Sequence, residues 1–111
     1  MKAAPWLAAS LAALVPVVAT SAADPVAPTP SGEALFASKC AHCHDRSGWG
    51  TRALARRLPP DQAELLQRPA VPAALVRLAV RCGIGSMPPF TPTDLSDDEL
   101  ERLARWLEAR R

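Results

Sequence analysis

Cys40-Ala41-His42-Cys43-His44 decides how this sequence is read. Thiols three residues apart on a helical turn point to the same side. They can therefore bond to the two vinyl groups along one edge of a haem, with the imidazole of His44 turned onto the iron. This is the C-x-x-C-H attachment pattern. Three other chemistries use such a cluster. Zinc could be held by Cys40, His42, Cys43 and His44, but these crowd onto one turn and neither histidine has the usual zinc-ligand spacing. An exported thiol-redox pair belongs beside a βαβ pattern, and no alternating strand pattern occurs here. A structural disulfide between Cys40 and Cys43 would leave the proline-rich segment around Met87 unexplained.

Outward from this motif, the chain is short. Its 111 residues allow a single small domain and exclude a Rossmann domain, a TIM barrel or a bundle of membrane spans. A formal net charge of +2 is too weak to argue for nucleic-acid binding, and none is expected. Residues 1–23 are expected to be a signal peptide: a Met1-Lys2 start, an apolar stretch from Trp6 to Ala19, and small residues Ser21-Ala22-Ala23 for cleavage. The run is shorter than the ~20 apolar residues of a membrane span, and Pro16 would kink it, so no stable membrane insertion is expected after cleavage. Residues 24–31 would be a flexible proline-rich leader and residues 32–111 the domain. Removing 23 residues from 111 leaves 88, a thin core that calls for a disulfide, a metal or a cofactor. The three cysteines, Cys40, Cys43 and Cys82, are an odd number for a pure disulfide framework.

The pattern predicts helices joined by loops. Ser31 can cap a helix from about Gly32 to His44, with Leu35 and Phe36 on its apolar side. Asp45 to Thr51, with Gly48 and Gly50, reads as loop. Pro60 suits the first position of a short helix through Leu66. Pro72 does the same for a longer one, with Leu75, Val76, Leu78, Ala79 and Cys82 as its buried stripe and Gly83 at its end. Gly85 to Pro92 cannot be regular. The last helix has Ser96 as cap, Glu99 closing a capping box, Leu95 stapled to Leu100, and Leu100, Leu103 and Leu107 as its stripe beside Trp106. Asp97, Asp98 and Glu99 lie at its positive end, and Arg110 and Arg111 at its negative end.

With these elements in order, the sequence resembles the class I cytochromes c over most of Gly32 to Leu107. That family pairs a glycine and an aromatic on the first helix, here Gly32 and Phe36, with an aromatic on the last, here Trp106. It also carries a methionine in a glycine- and proline-containing loop before the last helix, here Gly85-Ser86-Met87-Pro88-Pro89-Phe90. The resemblance implies an all-α cytochrome c fold, three to four short helices packed around one covalently attached haem. Cys40 and Cys43 would be the thioether anchors, His44 the proximal iron ligand and Met87 the distal one. Physical chemistry supports Met87 separately. Pro88 disfavours the α region at Met87, Pro89 stiffens the segment, and Gly83 and Gly85 let the backbone pass close to a flat ligand.

Leu54, Leu58, Leu75, Leu78 and Phe90 are expected to wall the haem. Trp49 and Arg52 are expected to bind its propionates, with Arg56 and Arg57 as further candidates. The proline that usually follows the motif is missing, so a backbone carbonyl between Thr51 and Leu58 is expected to accept from the ligand imidazole. His42 reads as solvent-facing and Cys82 as a small buried hydrophobe. Between Arg46 and Arg81 seven arginines face two acids, Asp61 and Glu64, a balance that could steer an acidic partner. The function expected is periplasmic transfer of single electrons between redox partners, with no catalysis of its own. One alternative is a cytochrome subunit of a periplasmic flavin- or quinone-cofactor dehydrogenase. A more distant one is a haem-based sensor or peroxidase with an open iron position. The chain would act as a monomer or as the small subunit of a complex.

Overall fold

The computed structural model describes residues 27–110, and its elements are best followed from the last helix backwards. Helix α6, Asp97–Ala109, starts where its capping signals place it. The Glu99 amide donates to Ser96 Oγ at 3.3 Å, and the Ser96 amide donates to Glu99 Oε2 at 2.8 Å. Leu95 and Leu100 are both buried on either side of the cap. Leu100, Leu103, Ala104 and Leu107 line one buried stripe. Helix α1, Gly32–Lys39, is capped by Ser31 Oγ, which accepts from the Ala34 amide at 3.2 Å.

The two helices cross at Gly32. A Cβ there would lie 2.3 Å from Trp106 Cβ and 2.7 Å from the Arg102 carbonyl oxygen, so only glycine lets the backbones meet. One turn on, the Phe36 ring packs on Trp106 with centroids 5.7 Å apart and planes at 44°. Helix α5, Ala73–Cys82, packs on another side of α6 through Ala73, Val76 and Val80. Arg77 forks onto Glu101 at 2.8 and 2.9 Å, and the Ala73 amide donates to Glu108 Oε1 at 3.0 Å. Arg110 donates to the Leu66 carbonyl at 2.6 Å with its guanidinium 4.9 Å from the Trp106 ring centre.

Several expected boundaries move. The helix expected from Gly32 to His44 breaks at Cys40, whose amide donates to the Phe36 carbonyl and closes α1; a separate turn, α2, covers Ala41–His44. The loop expected over Asp45 to Thr51 ends at Gly48. Helix α3, Trp49–Leu54, begins there because Gly48 takes an extended conformation and Thr51 Oγ1 donates to the Asp45 carbonyl at 2.6 Å. The helix at Pro60 is only α4, Pro60–Ala63, followed by a 3-10 turn at Leu65–Gln67. Pro72 caps α5 and does not join it. The described residues thus hold six α-helices, several of a single turn, where three to four were expected, and no named strand. The fold class stands: all-α, as in the cytochromes c. No helix among the described residues is long and apolar enough to cross a membrane. The expected signal peptide, the first three residues of the leader and Arg111 lie outside the described residues.

The buried stripe of α5 also differs from expectation. Ala73, Val76 and Val80 face inward, whereas Leu75 and Leu78 are 41% and 56% exposed and Cys82 is exposed. Helical spacing alone cannot choose between two apolar faces of one helix, and α6 covers the valine face.

Gly32→Ala is expected to lower the stability of the protein by about 1–3 kcal/mol in denaturant unfolding, through overpacking at the crossing. Helix propensity alone predicts a small gain, so an unchanged or raised midpoint would refute the crossing as drawn. Hydrogen bonds from Arg77 and Arg105 hold the Glu101 carboxyl down at about 2, below the ordinary 4.5. Its contribution is therefore present above pH 4.5 and is lost as pH falls towards 2. Glu101→Gln should flatten the stability loss across that interval, read by thermal melts at stepped pH.

Candidate functional site

The Cys/His motif is held as a single turn. The Cys40 carbonyl accepts from the amides of both Cys43, at 3.1 Å, and His44, at 2.9 Å, which puts the two thiols one turn apart on one side. Cys40 packs against the hydrophobic core, while Cys43 is exposed. Burial, and secondarily the neighbouring Cys43, push the Cys40 thiol up to about 11. A redox-active thiol of the C-x-x-C kind needs the opposite shift. Among the described residues no three His, Cys, Asp or Glu side chains gather as a metal cluster, and both motif cysteines are free. The raised Cys40 thiol argues against the thiol-redox reading.

His44 is half-buried, and His42 is exposed, as expected. Burial lowers the His44 pKa, and the positive charge of Arg68 lowers it further, so the imidazole is neutral and its lone pair is free to bind a metal. Its Nδ1 is sealed from solvent without a hydrogen-bond partner. The carbonyl expected from Thr51 to Leu58 does not serve it. That segment is helix and turn, where Thr51, Ala53 and Leu54 carbonyls accept from Ala55, Arg56, Arg57 and Leu58 amides instead. Two glycines behind the motif, first read as loop formers, carry the packing. A Cβ at Gly48 would lie 2.2 Å from the Cys43 carbonyl oxygen, and one at Gly50 3.2 Å from His44 Cε1. Helix α3 thus lies flat against the motif turn and the imidazole.

Met87 lies in the loop after α5. Gly83 ends the helix at φ 71°, where a Cβ would meet the Met87 carbonyl oxygen at 2.6 Å. Ile84 and Met87 then exchange amide-to-carbonyl bonds of 3.2 and 3.0 Å around Gly85 at φ 57° and Ser86. Met87, like Cys40, is half-buried and packs on the edge of the same core. Leu54, Leu58 and Phe90 are half-buried. Leu75, Leu78, Ile84 and Trp49 are the large apolar side chains left open to solvent among the described residues.

Of the polar candidates, Arg52 is exposed and donates to the Ser47 carbonyl at 2.8 Å, tying α3 to the motif loop, and Arg56 and Arg57 are exposed. The expected basic face is narrower than the count of arginines implied. Arg46, Arg77 and Arg81 pair with Glu64, Glu101 and Asp97. Cys82, expected as a buried hydrophobe, is exposed because it belongs to the Leu75 and Leu78 face. Sequence reasoning missed Arg68 and Arg81. Neither lies in a motif, and only the fold brings Arg68 near His44 and Arg81 to the Met87 loop.

These residues fit a haem: paired thiols on one turn, a neutral imidazole with an unpartnered buried nitrogen, a presented thioether and an uncovered apolar face. No curated protein and no solved structure matches the chain. The family described as "Cytochrome C oxidase, cbb3-type, subunit III" matches residues 27–107, and the chain belongs to it: a c-type cytochrome, an electron carrier that binds haem c covalently.

Proposed function

We propose that the chain is an exported mono-haem cytochrome that passes single electrons between periplasmic redox proteins. The observation that carries this reading is that Cys40 of the motif turn and Met87 both pack at the edge of one core. Haem, when bound, supplies one-electron chemistry between ferric and ferrous iron. Cys40 and Cys43 would hold it by thioethers, and His44 and Met87 would be its side-chain iron ligands. Gly50 keeps α3 close enough to fix the His44 ring. Gly83 and the Ile84–Met87 pair fix the backbone that carries the thioether. Leu75 and Leu78 would exclude water from the porphyrin face, and Trp49 and Arg52 would meet its propionates. Two side-chain ligands would close the iron to substrates, which would disfavour a sensor or peroxidase.

Export is supported by the pattern of residues 1–23. The description of the matched family names an oxidase subunit, and this favours a second reading, a subunit inside a larger electron-transfer assembly such as an oxidase or a dehydrogenase. Stable co-purification with a large subunit supports the assembly; a chain that purifies alone and still exchanges electrons supports the diffusible carrier.

Met87→Ala should abolish the far-red sulfur-to-iron band of the oxidised protein and let it bind cyanide at once. Met87→His should remain six-coordinate at a lower potential, because a nitrogen donor stabilises ferric iron. An unchanged potential in Met87→His would mean that Met87 does not touch the metal.

A further inference from the structure

The last turn of α5 holds both ends of the Met87 loop. At its entrance the Gly83 amide donates to the Ala79 carbonyl at 2.9 Å. At its exit the Phe90 amide donates to the Val80 carbonyl at 2.7 Å, and the Phe90 carbonyl accepts from Arg81 Nη1 at 3.1 Å. The same guanidinium reaches further. Arg81 Nη2 donates to the Leu95 carbonyl at 2.9 Å and to Asp97 Oδ1 at 2.6 Å, so one side chain joins the loop, the α6 cap and the first turn of α6. The Arg81 side chain is 23% exposed, and among the described residues it makes the only side-chain hydrogen bond to the segment from Gly83 to Phe90. Pro88 and Pro89 have no amide hydrogens to offer, which leaves that segment few bonds of its own.

We infer that Arg81 is a positioning residue for Met87: its guanidinium clamps the loop exit to α5 and α6 and so holds the thioether in place. The inference rests on the reading of Met87 as an axial ligand. A planar fork with several donors suits two carbonyls and a carboxylate at once, and an ammonium cannot copy it. Bonds from a charged donor to a half-buried carbonyl are among the stronger ones, and losing them raises the open fraction of the loop.

An external ligand enters only when the loop is open, so its apparent affinity reports the open fraction. Imidazole titrations of the oxidised holoprotein should give an apparent Kd about tenfold lower for Arg81→Gln than for the unsubstituted protein. Arg77→Gln is the control: it removes another α5-to-α6 ion pair that does not touch the loop, and its Kd should stay unchanged. Arg81→Lys should lie between, and it carries the test if Arg81→Gln fails to mature. An unchanged Kd in the Arg81 variants, or an equal fall in Arg77→Gln, overturns the inference while leaving Met87 as ligand. If the unsubstituted protein lacks the far-red sulfur band, the ligand reading itself fails, and the inference falls with it.

Discussion

Helix α6 has one buried stripe and two partners, and the position of every candidate ligand depends on how they share it. At Gly32 the backbone of α1 comes against the Trp106 Cβ and the Arg102 carbonyl, a contact that a single methyl group would prevent. Phe36 then stacks on Trp106 one turn later. That crossing fixes where α1 ends, and α1 ends at the thiol of Cys40. On its other side α6 takes the valine face of α5, which fixes where that helix ends, at Gly83 and the loop of Met87. The motif turn and the methionine loop are distant in sequence and share no hydrogen bond among the described residues. Both border one core because each is the continuation of a helix docked on the same third helix.

The same arrangement explains an apolar surface that would otherwise be unfavourable. Leu75, Leu78 and Ile84 are open although a small domain has little apolar area to spare. A flat macrocycle laid against this face, tethered by Cys40 and Cys43, would remove it from water and contribute the core that the chain lacks. Electrostatics agree. The motif imidazole is kept neutral by burial and by Arg68, and the Cys40 thiol is kept protonated by burial, so neither favours free thiolate chemistry.

Much of this was legible in the sequence, for particular reasons. The α6 cap was readable because its signals are local: Ser96, Glu99 and the Leu95 and Leu100 staple lie within six residues of one another. The crossing was readable only through the resemblance, which joined Gly32 and Phe36 to Trp106. The break at Cys40 was not readable, since nothing in its neighbours forbids a continuous helix. The α5 stripe was misassigned because two apolar faces satisfy the same spacing, and the partner that selects one is remote. Gly48 and Gly50 were seen but read as loop, whereas the fold uses them to bring α3 against the motif turn. Arg81 was invisible for a similar reason, because its acceptors are Phe90, Leu95 and Asp97, and none of them signals a bond to a helix before it.

The central claim is tested most directly by acid-acetone extraction of the protein matured with the full attachment machinery, with pigment counted against chain. The account predicts that one haem per chain stays with the polypeptide and that Cys40→Ala with Cys43→Ala leaves none. Pigment that passes into the acetone, or a colourless mature protein, would contradict it.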